Sequence, residues 1–123
     1  MWTYSQSTGE LTAPDGMLFG VGFAGRDGGF DNPAMQTVKN IGPLPIGQYT
    51  MDEWFDKHPT VGLCAIRLTP CAGTDMCGRS GFLIHGPELA QPLESSHGCI
   101  VFGNCTTRRE IWQSADHDLT VNT

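Results

Sequence analysis

Lysine and arginine are scarce in this chain: there are seven, against thirteen aspartates and glutamates, for a formal charge of −6. Nucleic-acid affinity comes largely from side chains that neutralise phosphates, so nucleic acid is not an expected partner. Long apolar runs are also missing. No stretch approaches the roughly 20 apolar residues that span a bilayer, and membrane insertion is not expected. The opening residues Met1-Trp2-Thr3-Tyr4-Ser5 lack the basic flank and apolar run of a secretory leader. They predict a chain made in the cytoplasm and, if its substrate lies outside, either exported without a cleaved leader or with its leader absent from this sequence. Charged residues are few as well, at 16%, and with 39% apolar residues this excludes a disordered tail or a solvated coiled coil.

What remains is one compact domain spanning residues 1–123, since a chain of this length has room for a single core. Sixteen glycines and eight prolines are scattered between short β-branched and aromatic runs. Turn residues in that distribution predict a mainly β fold, a β-sandwich or partly open barrel with one or two short helices.

The chain order supports this. Trp2-Thr3-Tyr4, a turn at Thr8-Gly9 and Leu11-Thr12 read as a hairpin, followed by a tight turn at Asp15-Gly16. Met17 to Phe23 reads as one strand, and Asn32-Pro33 opens a helical turn. The prolines of Gly42-Pro43-Leu44-Pro45 force an extended connection into a strand over Gln48 to Met51. Further strands are expected at Leu63 to Thr69, Phe82 to Ile84, Cys99 to Phe102 and Asp118 to Asn122. A helix is expected from Thr107, where Thr107 and Glu110 have capping-box spacing.

Five cysteines leave at least one thiol over if the rest bridge within the chain. The expected pairs are Cys71 with Cys77 across a short loop and Cys64 with Cys105 between strands. Cys64, Cys71 and Cys77 with His85 form an alternative zinc set, although no C-x-x-C knuckle is present among them.

The chemically informative stretch is Gly81-Phe82-Leu83-Ile84-His85-Gly86, followed after a polar loop by Ser95-Ser96-His97-Gly98-Cys99-Ile100. A free thiol is only a few per cent thiolate at neutral pH, so a nucleophilic cysteine needs a base or cation beside it. His85 can supply that function to Cys99, and His97 is the competing candidate. Glycine before the nucleophile permits a sharp turn and close approach of a substrate carbonyl, with the Gly98 and Cys99 amides as an oxyanion hole. Ser96 can fix the turn by a local hydrogen bond. Arg79 and Ser80 can reach a substrate carboxylate or carbonyl, because a guanidinium fork matches a carboxylate. Gly86 and His97 complete the candidate substrate contacts. Tyr49, Trp54 and Trp112 are expected in the core rather than a cleft, and His58 and His117 in solvent.

S-H-G-C-I preceded by I-H-G at the end of an apolar strand resembles the catalytic signature of YkuD-type L,D-transpeptidases. W-T-Y-x-x-S-T-G-x-L, D-N-P-A-M-Q, I-G-P-L-P-I-G-Q-Y-T and G-R-S-G-F-L-I-H-G together resemble the small L,D-transpeptidase effectors delivered by type VI secretion systems. The resemblance runs from end to end. It implies catalytic roles for Cys99 and His85 and places Ser96 in the nucleophile signature. The implied substrate is the tetrapeptide stem of peptidoglycan, cleaved between meso-diaminopimelate and D-alanine or exchanged there, with no metal or organic cofactor. Implied partners are the secretion apparatus and a cognate immunity protein, and the implied place of action is the periplasm of target bacteria. Two departures stand out. Ten residues separate His85 from Ser96, fewer than in housekeeping enzymes, which predicts a reduced lid. The polar residue usual just after the cysteine is missing, and Asn104 is the nearest substitute. A housekeeping or phage-borne wall enzyme and a non-catalytic wall-binding module are the alternative readings.

Overall fold

The computed structural model of the chain describes residues 1–87 and 96–123. Nine strands form one sheet: β1 (Trp2–Ser5), β2 (Glu10–Thr12), β3 (Leu18–Val21), β4 (Phe23–Ala24), β5 (Gly47–His58), β6 (Gly62–Pro70), β7 (Phe82–His85), β8 (Ile100–Val101) and β9 (Asp118–Asn122). One α-helix, α1 (Cys105–Gln113), and 3-10 turns at Asp27–Gly29 and Pro33–Met35 complete the elements of the described residues.

The strand order is β3-β2-β1-β9-β5-β6-β7-β8-β4, so consecutive strands β3 and β4 occupy opposite ends of the sheet. Gly22 alone joins them, and the sheet therefore curls into a nearly closed barrel. A closed sheet leaves few backbone groups unpaired at its edges. The expected single strand from Met17 to Phe23 is thus two, broken where the chain changes edge. Gly22 donates its N–H to the Gly9 carbonyl at 2.8 Å, and a Cβ there would stand 2.3 Å from the Val101 oxygen. Only glycine permits that approach.

Period-two alternation fills the interior. Trp2 and Tyr4 of β1 and Leu119 and Val121 of β9 point inward, with polar neighbours between them facing out. Tyr49, Met51, Ile66, Ile84 and Ile100 continue the core across β5 to β8. Phe19 packs edge-on to Trp2 at 5.2 Å and stacks on Phe102 at 6.0 Å, closing the barrel near its seam. Tyr49 is fully buried, while Trp54 and Trp112 pack against the core from its rim.

β5 runs on to His58, well past the expected end at Met51. Its distal half, Asp52 to His58, reads as polar surface in one dimension. In space it pairs with β6 throughout, with a register shift between Met51 and Glu53 and ion pairs from Arg67 to Asp52 and Glu53. The helix begins at Cys105, two residues before the expected start. Asn104 caps it by accepting from the Thr107 N–H at 2.9 Å, so Thr107 sits inside the first turn and the predicted capping box does not form. Asn104 is also thereby committed to the helix rather than to the site. Asn32 caps the Pro33 turn through the Ala34 N–H at 3.1 Å, as the Asn-Pro step predicts.

Cys64 and Cys105 form a disulfide with Cα atoms 5.4 Å apart, tying β6 to the start of α1. Cys71 and Cys77 are free thiols, which corrects the expected short-loop bridge. Their sulfurs face other partners, Thr50 Oγ1 at 3.7 Å and the Asp75 carbonyl at 3.8 Å. With Cys64 bonded to Cys105, the alternative zinc set loses its first thiolate. Arg108 reinforces the same junction from α1. Its buried guanidinium donates to the carbonyls of Cys64 (2.7 Å), Phe102 (2.9 Å) and Gly103 (2.7 Å).

Candidate active site

The parallel pair β7 and β8 sets Ile84 beside Ile100 and His85 beside Val101. Ile84 and Ile100 enter the core, so His85 projects from the opposite face of its strand. Cys99 lies on the turn that enters β8. Both residues line one cavity of about 380 Å³, whose wall also includes Asn40, His58, Ser80 and His97.

That turn is built around Ser96, which is fully buried. Its hydroxyl accepts from the Gly25 N–H (2.9 Å) and the Gly98 N–H (3.0 Å) and donates to the Cys99 carbonyl (2.5 Å). The expected fixing role of Ser96 is therefore visible, but it consumes the Gly98 amide. Of the two amides expected to form the oxyanion hole, that of Gly98 is donated to this hydroxyl. Gly98 has φ +127°, and a Cβ there would meet an Arg79 Nη at 2.5 Å and the Phe82 ring at 2.7 Å. The residue must be glycine on both counts.

Arg79 is also placed differently from expectation. Its guanidinium donates to four carbonyls, those of Gln36 (2.7 Å), Pro43 (2.8 Å), Gly42 (3.0 Å) and His97 (3.1 Å), and lies over the Phe82 ring. Only 6% exposed, it cannot also fork onto a substrate carboxylate, which corrects the expected direct contact. It braces the loop before β5 against the turn that carries Cys99. Ser80, next in sequence, is exposed and does line the cavity.

The Cys99 sulfur receives the Leu83 N–H at 3.3 Å. Burial pushes its thiol up to about 11, against the opposing pull of that N–H and of the Arg79 charge. Its resting form is accordingly the neutral thiol. His85 is 3% exposed, and burial holds its imidazole below the usual value, with the Gly86 carbonyl opposing and the Arg108 charge reinforcing. The Gly86 carbonyl lies 2.8 Å from His85 Nδ1 and can only accept, so Nδ1 carries the hydrogen and Nε2 presents a lone pair. Gly86 thus acts through its carbonyl on His85. One cavity is thus lined by a neutral thiol and by a neutral imidazole whose Nε2 is the acceptor nitrogen, the two kinds of group that generating a sulfur nucleophile requires.

His97, the competing base, is exposed, and its Nε2 accepts from Arg26 at 3.0 Å. It lines the cavity with its acceptor nitrogen already occupied. His58, expected in solvent, lines the same cavity. Its Nδ1 accepts from the amides of Thr60 (3.1 Å) and Val61 (3.4 Å), which leaves the hydrogen on Nε2, and its ring meets Phe55 edge-on at 4.8 Å. No local motif marks it; only the full length of β5 carries it there. His117, also expected in solvent, is half-buried: it stacks on Trp112 at 4.3 Å and bonds the Trp112 carbonyl through Nε2 at 2.7 Å. The short connection expected to form a reduced lid, with Ser95 of the motif, falls mostly within residues 88–95 and lies outside the described residues.

These features define a class: a nearly closed, mainly β domain with a cysteine and a histidine brought to one cavity by adjacent parallel strands. The family model of the Tlde1 domain matches residues 20–122, and the chain belongs to that family of type VI secretion effector domains. No curated protein matches the chain. Membership implies export and a secretion apparatus as partner. Among the described residues no helix is long and apolar enough to cross a membrane.

Proposed function

We propose that this domain is a peptidoglycan-modifying cysteine enzyme, an L,D-carboxypeptidase or L,D-transpeptidase that cleaves the amide between meso-diaminopimelate and D-alanine in tetrapeptide stems. The observation that carries this reading is that Cys99 and His85 line one cavity, with the His85 tautomer set by Gly86 so that Nε2 is the acceptor. His85 takes the thiol proton as the Cys99 sulfur attacks the stem carbonyl, then returns it to the departing amine of D-alanine. The C–N bond breaks and a C–S thioester remains. Water adds to the thioester, giving the trimmed stem, the free thiol and carboxypeptidase activity. An incoming amine in place of water gives exchange or cross-linking. In this reading the Cys99 N–H turns to the oxyanion as it forms, and the ties of Ser96 and Arg79 to the turn support it.

The domain's membership in an effector family supports action in the periplasm of target bacteria, with a cognate immunity protein protecting the producer. Mass spectrometry of muropeptides after incubation with the protein tests the chemistry. Cys99→Ala and His85→Ala should each abolish loss of D-alanine from tetrapeptides while circular dichroism stays native, because nucleophile and base act as a unit. His97→Ala should retain most turnover. A dead His97→Ala protein beside an active His85→Ala one would reassign the base.

A further inference from the structure

The cavity at Cys99 has a neighbour. A hollow of about 80 Å³ adjoins it and shares Asn40, Ser80, Phe82 and His97 with it. Its own lining adds Lys39 and Arg79, and among the described residues no carboxylate lines it. In a chain of net charge −6, two cations at a concave surface whose described lining holds no acid create a local positive potential. The groups divide the work. Arg79 has its Nη hydrogens committed to carbonyls and supplies charge from behind, whereas the ammonium of exposed Lys39, the Asn40 amide and the Ser80 hydroxyl are side-chain donors on its wall. Asn40 takes a left-handed conformation, φ +66°, at the tip of the loop. Arg79 bonds that loop on both sides of Lys39 and Asn40, at Gln36, Gly42 and Pro43, and bonds the nucleophile turn at His97. One buried guanidinium therefore sets the distance between the small hollow and Cys99.

We propose that this hollow is a carboxylate subsite that receives the C-terminal carboxylate and methyl group of the stem's last D-alanine. The inference rests on the function proposed above and makes the enzyme one that acts only on the final bond of a free-ended stem. Size agrees with the assignment. A single water needs roughly 10–15 Å³, so about 80 Å³ takes a carboxylate and a methyl but not a further residue. The larger cavity, about 380 Å³, is left for the longer acyl side of the same peptide.

Two synthetic tetrapeptide stems that differ only in a carboxylate or a carboxamide on the terminal D-alanine provide the test. Wild-type protein should favour the acid by about tenfold or more in kcat/KM, the scale of a charged hydrogen bond. Lys39→Glu should bring that ratio close to one, with Lys39→Gln between. Equal turnover of the two stems by wild type, or an unchanged ratio in Lys39→Glu, would overturn the subsite while leaving the cysteine chemistry standing. A folded wild-type protein that cleaves neither stem would overturn the proposed function and the subsite with it.

Discussion

The Leu83 amide points at the Cys99 sulfur across 3.3 Å, so the strand that delivers His85 also holds the nucleophile. Leu83 and His85 are two apart on β7 and project from the same face, while Phe82 and Ile84 enter the core. The candidate base and the N–H that touches the candidate nucleophile therefore cannot move independently. Arg79 fixes the other side of the sulfur through the His97 carbonyl and the Phe82 ring.

Because burial pushes the Cys99 thiol up to about 11 from 9.0, its alkylation by iodoacetamide at pH 7 should run about a hundredfold slower than that of a free cysteine peptide. The rate should climb from pH 9 towards 11. The folded protein holds this proton more tightly than the unfolded one, so the thiol's contribution to stability is complete below pH 9 and is lost as pH rises through 11. Peptide mapping separates Cys99 from the other free thiols. Rapid alkylation of Cys99 at pH 7 would show a thiolate already formed.

His85 is shifted the other way, downward from 6.5. Its neutral form is the base, so kcat/KM should stay level down to pH 6.5 and fall only below it. Here the unfolded chain binds the proton more tightly, and stability should decline as pH drops below 6.5. A rate profile on a tetrapeptide stem and a urea midpoint series across pH 4–7 check the two halves.

Ser96→Ala removes one hydroxyl and strands three backbone groups, the amides of Gly25 and Gly98 and the carbonyl of Cys99. Unmet buried groups cost about 1–3 kcal/mol, which should appear as a lower urea midpoint with unchanged m-value. Turnover should fall as well, since the turn that aims the sulfur loses its tie. Cysteine alkylation in the folded variant distinguishes a displaced sulfur from simple unfolding.

Non-reducing peptide mapping should return one linked pair, Cys64 with Cys105, and alkylatable Cys71, Cys77 and Cys99. A bridge across a sequence separation of 41 contributes about 4 kcal/mol in the chain-entropy model. Dithiothreitol should therefore lower the melting temperature markedly without touching the candidate nucleophile. A bridge containing Cys99 in active protein would refute the proposed chemistry.

Directed to the periplasm of a Gram-negative host by an added leader, the domain should arrest growth, whereas the same chain kept in the cytoplasm should be tolerated. Cys99→Ala should remove the toxicity at matched periplasmic abundance, measured by fractionation. Toxicity that survives the substitution would favour a binding effect over wall chemistry.

Much of this was legible in one dimension because it is local. Glycine-rich turns between alternating strands predicted a mainly β chain, a β-sandwich or a partly open barrel, and the I-H-G and S-H-G-C segments singled out His85, Ser96, Gly98 and Cys99. Backbone need explains two of those choices, since φ +127° at Gly98 and a buried hydroxyl at Ser96 are conditions of the turn itself. Other features depend on residues far apart in the chain, and only the tertiary structure decided them. Gly22 sends one run of apolar residues to both edges of the sheet, which no window of that run reveals. Arg79 reads as a surface cation until the carbonyls of Gln36, Gly42, Pro43 and His97 gather around it and turn a candidate substrate contact into a brace. His58 reads as solvated until the whole of β5 pairs with β6 and brings it into the cavity of Cys99. Residue type and turn chemistry select the reactive groups; long-range hydrogen bonding and burial decide which donors stay available and which protons those groups hold.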